Sequence, residues 1–108
     1  MSPITTHVLD TGAGRPAARV PVTLEYQSPR GEWQLLAQRH TDTDGRIRDF
    51  LPEDYALKPG VYALRFDTSS CSKFFPEVVL RFRIDDPNQP IHVPLLLSPF
   101  SFTAYRGS

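Results

Sequence analysis

The segment Val20-Pro21-Val22-Thr23-Leu24-Glu25-Tyr26 puts apolar side chains at 20, 22, 24 and 26. In an extended chain alternate side chains face opposite ways, so a spacing of two reads as a strand with one buried face. The same spacing recurs at Tyr62, Leu64 and Phe66, with Arg65 and Asp67 opposite. It recurs again at Val78, Leu80, Phe82 and Ile84, with Arg81 and Arg83 facing away. Further strands are predicted at 4–10, 33–41, 91–97 and 100–106. Turn residues separate them at Gly12 to Pro16, Ser28-Pro29-Arg30-Gly31, Asp42 to Gly45, Lys58-Pro59-Gly60 and Asp85 to Pro90.

With 11 Pro and 6 Gly among 108 residues, the chain leaves little room for long helices. Short strands at this spacing predict one all-β domain over 1–108, a sandwich or barrel. One short helix is expected around 69–75, where Asp67, Thr68 and Ser69 offer caps and Pro76 offers a stop. Pro21 and Pro94 fall inside predicted strands, so each must sit where its missing N–H is not needed.

Composition excludes several classes of function. Twelve basic and twelve acidic residues balance to zero, which argues against a nucleic-acid surface. No apolar run approaches the ~20 residues of a membrane span. Cys71 is the sole cysteine, so no internal disulfide forms, and Met1-Ser2-Pro3 lacks the basic and apolar regions of a signal peptide. A reducing, cytoplasmic location is therefore expected. With no histidine near it in sequence, Cys71 reads as an ordinary packed or half-exposed thiol.

Alternation also assigns faces. The first strand sets Thr5, His7 and Leu9 against Ile4, Thr6 and Val8. Strand 91–97 sets Ile91, Val93, Leu95 and Leu97 against His92, Pro94 and Leu96, and the first set is the core face. In the last strand Phe100, Phe102 and Ala104 are expected inward, with Ser101, Thr103 and Tyr105 outward. If these strands share a sheet, its outer face carries no charge beyond its histidines. A solvated face normally carries Lys, Glu or Arg, so this one suits cover by another subunit with polar groups left for a ligand.

Few residues carry a chemical signal by themselves. His7 and His92 fall on the proposed outer face, while His40 ends a strand before a polar turn. Taken alone, each reads first as a structural or surface histidine, although an imidazole is also the usual general base. Gly45 can take the positive φ of the turn Thr41-Asp42-Thr43-Asp44-Gly45, presenting Arg46 at a strand entrance, with Arg48 an equal candidate. There is no CxxC, HExxH, phosphate loop or GxSxG elbow, so no metal or cofactor is expected. The sequence runs from an apolar strand straight into Tyr105-Arg106-Gly107-Ser108 and stops, which suggests that the ending belongs to a site.

His7-Val8-Leu9-Asp10 with Gly14-Arg15-Pro16-Ala17, Thr41 to Arg46, Phe75-Pro76-Glu77-Val78 and the stretch from His92 to Ser108 together resemble the 5-hydroxyisourate hydrolases. These are the transthyretin-like enzymes of urate breakdown. The resemblance covers essentially the whole chain, and the closing Tyr-Arg-Gly-Ser is its most specific mark. It departs from the family at Asp42, where Asn is common, and at Ser70-Cys71-Ser72. The resemblance implies a sandwich of two four-stranded sheets with one short helix, assembled as a homotetramer around a channel. It implies His7, Arg46, His92 and Ser108 as catalytic residues, and Thr103, Tyr105 and Arg106 as substrate-binding residues. It implies hydrolysis of 5-hydroxyisourate by attack of water on C6, without metal or cofactor. It leaves open which histidine is the base and whether Ser108 acts through its hydroxyl or a terminal carboxylate. Two other readings of the same fold are a transthyretin-like carrier and a purely structural sandwich.

Overall fold

A computed structural model describes residues 2–108, and every predicted strand is present in it. Nine strands run in the order β1 (Ile4–Asp10), β2 (Arg15–Pro16), β3 (Pro21–Gln27), β4 (Trp33–His40), β5 (Arg46–Ile47), β6 (Gly60–Asp67), β7 (Glu77–Ile84), β8 (Ile91–Leu97) and β9 (Phe102–Ala104). They form two sheets. One has the order β4-β3-β6-β7, all antiparallel. The other has the order β2-β1-β8-β9, with β5 also paired to β1. The expected pair of four-stranded sheets is thus extended by the two-residue strand β5.

In β1, β3, β6 and β8 the inner faces are those assigned by alternation. Ile4 and Val8 of β1, Val22 and Leu24 of β3, Leu64 and Phe66 of β6, and Leu95 and Leu97 of β8 are buried between the sheets. Each such side chain contributes about 1.5–3 kcal/mol of transfer free energy. Loop residues Phe50 and Leu57 close the core at its ends. On β7, Val78 and Ile84 are buried, while Leu80 and Phe82 are only partly covered, because β7 is the sheet edge.

Two expectations change. The helix around 69–75 is absent, and a single turn closes there, with Cys71 and Ser72 N–H groups donating to the Thr68 carbonyl at 2.9 and 2.8 Å. Thr68, one of the expected caps, and Ser72 satisfy the loop backbone in its place. Thr68 Oγ1 donates to the Phe75 carbonyl, and Ser72 Oγ accepts from Phe75 N–H at 3.1 Å. Such local bonds compete directly with helical ones. Phe100 does not point into the core either. It is 76% exposed, because β9 begins only at Phe102 and the chain turns outside the sandwich at Ser98 to Ser101, and Phe102 and Ala104, also expected inward, are exposed on this edge strand.

Pro21 is the first residue of β3, and the β6 ladder begins only at Val22. Pro94 has a larger consequence. β9 pairs Ala104 with Leu95, and the same register would set Tyr105 against Pro94. Proline has no N–H to offer there. The ladder lapses over Tyr105 and Arg106 and returns at Gly107, bridged to His92. The break frees Tyr105 and Arg106 from the sheet beside the histidine-bearing strand.

Candidate active site

β1 and β8 run parallel and side by side, with Thr5 opposite His92, His7 opposite Pro94 and Leu9 opposite Leu96. Residues directly opposite one another share a face, so His7 and His92 lie on the same outer surface. On the far side of β1, the antiparallel β5 sets Arg46 opposite His7. Thr103 faces Leu96 from β9 on that surface.

Arg46 reaches this position through a turn built by Asp42 and Gly45. The Asp42 carboxylate accepts N–H bonds from Asp44 and Arg46, both at 2.9 Å. These bonds, led by that of Arg46, hold its carboxyl below the usual carboxylate range. Gly45 has φ 75° and passes so close to β1 that a Cβ would collide with the Val8 carbonyl. Its own carbonyl accepts from Val8 N–H at 2.7 Å, pinning the turn to the strand. Arg48 is paired with Asp42 at 3.2 Å. The Arg46 guanidinium has no hydrogen-bond or ion-pair partner among the described residues, which separates the two candidates.

The two imidazoles are held differently. His7 Nε2 lies 2.9 Å from the Asp44 carbonyl. A carbonyl only accepts, so Nε2 carries the proton and Nδ1 is the free nitrogen of the neutral ring. His92 Nδ1 lies 2.8 Å from Thr5 Oγ1. Both rings are pushed below the ordinary histidine pKa, first by burial and then by the Arg46 cation; His7 acts on His92 in the same sense. Both are therefore neutral at pH 7.

A cavity of about 610 Å³ opens beside this surface, lined by Arg46, Arg48, His92, Arg106, Gly107 and Ser108. Thr5, Thr6, Ser2 and Gln89 add to its polar wall, and no Asp or Glu side chain lines it. Gly107 N–H donates to the His92 carbonyl at 2.7 Å, and Arg106 donates to Gln89 Oε1 at 3.1 Å. Of the residues expected from sequence, Arg46, His92, Arg106 and Ser108 meet here. His7 does not line the cavity and stands across from Arg46. Tyr105 opens onto a second cavity of about 210 Å³ between β7 and β9, and Thr103 lines neither. Gln89 had no sequence signal beyond its place in the turn before β8, whereas Thr5 shares its parity with His7. Cys71 is a half-buried thiol packed against the core, remote from this surface in the fold.

Such a site can bind a planar, oxygen-rich molecule, donate to a developing oxyanion and accept a proton on a neutral imidazole. Residues 4–107 match the HIUase/Transthyretin family. A 5-hydroxyisourate hydrolase of Mus musculus is 44% identical, the match covering 99% of this chain and 96% of that protein. The 5-hydroxyisourate hydrolase of Salmonella dublin is 41% identical over 97% of this chain and 80% of its own length. Among solved structures, Klebsiella pneumoniae 5-hydroxyisourate hydrolase superposes with a TM-score of 0.83 at 31% identity, covering all of both chains. Sea bream transthyretin in complex with thyroxine superposes with a TM-score of 0.87 at 28% identity, over 97% of this chain and 94% of that one. The chain belongs to the HIUase/transthyretin family and is a hydrolase within it.

Proposed function

We propose that this protein hydrolyses 5-hydroxyisourate to 2-oxo-4-hydroxy-4-carboxy-5-ureidoimidazoline in urate breakdown. The observation that carries this reading is the meeting of Arg46 and His92 at a cavity with three arginines and no Asp or Glu side chain. The substrate is planar and bears several carbonyl oxygens, which suit those donors. Water attacks C6, and neutral His92 takes its proton. The planar fork of Arg46 stabilises the oxyanion formed at C6. Collapse of this intermediate breaks the N1–C6 bond, N1 takes the proton held by the His92 imidazolium, and C6 stays on the ring as the new carboxyl group, which ionises to a carboxylate. His7, tied through Nε2 to the Asp44 carbonyl, stands opposite Arg46 with Nδ1 free at the border of this site, and the Ser108 hydroxyl orients the water. Arg106 contacts the substrate from the cavity wall, and Tyr105 and Thr103 reach it from the neighbouring surface that a second copy covers. The chain's own side chains suffice for each of these steps.

The outer face bearing Leu9, Leu96 and Thr103 has few charges, which supports a homotetramer in which a second copy covers it. Freshly generated 5-hydroxyisourate loses its ultraviolet absorbance as it opens, and the protein is expected to accelerate this loss strongly. Binding without acceleration over buffer would support a carrier of the transthyretin kind in its place.

A further inference from the structure

We propose that Thr5 and Gly107 are positioning residues that clamp the His92 ring from opposite edges, fixing its proton on Nδ1 and leaving Nε2 as the basic nitrogen. This rests on the proposed role of His92 as the base. On one edge, Thr5 Oγ1 sits 2.8 Å from Nδ1, in a residue only 8% exposed. A hydroxyl could donate or accept there. Of the two arrangements, the one in which Nδ1 carries the hydrogen and Oγ1 accepts leaves Nε2 unprotonated, as the proposed role of base requires.

On the other edge, Gly107 lies against the ring itself. A Cβ at Gly107 would stand 2.6 Å from His92 Cδ2 and 3.2 Å from Pro94 Cγ. Carbon atoms do not approach so closely, so any side chain there would turn the imidazole or lift residues 106–108 away. The Gly107 N–H bond to the His92 carbonyl holds this contact in place from the main chain. With Nδ1 bound to Thr5 and Cδ2 covered by Gly107, Nε2 is the ring nitrogen left for the cavity. Which nitrogen is basic in a neutral imidazole is set by the hydrogen bond that the other makes. Glycine is thus required at position 107 for close approach.

Thr5→Val keeps the shape and removes the hydroxyl. It is expected to lower kcat about fivefold with little change in KM, as the loss of one hydrogen bond of ~1 kcal/mol implies. Thr5→Ser is expected to restore kcat. Nitrogen-15 spectra of the neutral His92 ring give a second readout: one tautomer, protonated at Nδ1, in the unaltered protein, and a mixture in Thr5→Val. Gly107→Ala is expected to shift the His92 ring resonances while the remaining spectrum stays in place. An unchanged tautomer and kcat in Thr5→Val, or a Thr5→Ser variant as impaired as Thr5→Val, would overturn the clamp. The ring spectra decide the clamp even in a protein that fails to open 5-hydroxyisourate, so the two failures are seen separately.

Discussion

Arg46 stands directly opposite His7 in the antiparallel pair of β5 and β1, so one cation faces the surface that carries both imidazoles. It depresses the pKa of each ring. The same group that is suited to an oxyanion therefore also keeps the bases unprotonated.

Arg46→Ala is expected to lower turnover by about 10²–10³, the usual loss for one oxyanion donor. The fold should survive, because the guanidinium has no partner to leave behind. Arg48→Ala breaks only an exposed pair with Asp42, worth about 0–1 kcal/mol, and should cost less than tenfold. Steady-state rates on the two variants separate them. Removing the Arg46 charge also raises both histidine pKa values, so the acid limb of the remaining activity should move to higher pH.

In the unaltered protein that acid limb should lie below pH 6.5, the ordinary histidine value from which both rings are lowered. Burial is the first cause, with Arg46 next, then Arg48 for His7 and His7 itself for His92; Asp42 opposes the shift at His7. Between the folded and unfolded pKa the unfolded chain holds more protons, so stability rises with pH in that window. The contribution is complete above about pH 6.5 and is lost as pH falls toward the folded values. Denaturant midpoints measured from pH 7.5 to 5 should fall, and should fall less in a His7→Gln variant.

Gly45→Ala should destabilise the protein by about 3 kcal/mol or more, since it adds a left-handed strain to a collision with the Val8 carbonyl. Gly14→Ala meets a similar φ of 71° in open space, so about 1 kcal/mol is expected. Urea midpoints of the two variants test the difference. Equal losses would mean that the close approach of the 42–45 turn to β1 is not tight.

The period-two runs made the long strands and their inner faces legible in the sequence, because burial on one face of a strand writes itself every second residue. The same parity placed His7, His92 and Thr5 on one surface. What remained hidden depends on contacts distant in sequence. β2 and β5 are two residues each, too short for any period, and exist because β1 offers them an edge. The choice between Arg46 and Arg48 turns on Asp42, whose carboxylate binds one and caps the turn for the other. Thr68 looked like a helix cap and became a loop tie, since its partner, the Phe75 carbonyl, is fixed by the fold. Gln89 enters the site only because Arg106 leaves the sheet where Pro94 offers no N–H.

The most direct measurement is the rate at which His92→Ala opens 5-hydroxyisourate, compared with the unaltered protein at equal folded concentration. Loss of the proton-accepting group predicts a fall of about 10²–10⁴ with secondary structure and assembly unchanged. A His92→Ala rate within a few-fold of the original would contradict a catalytic role for this surface.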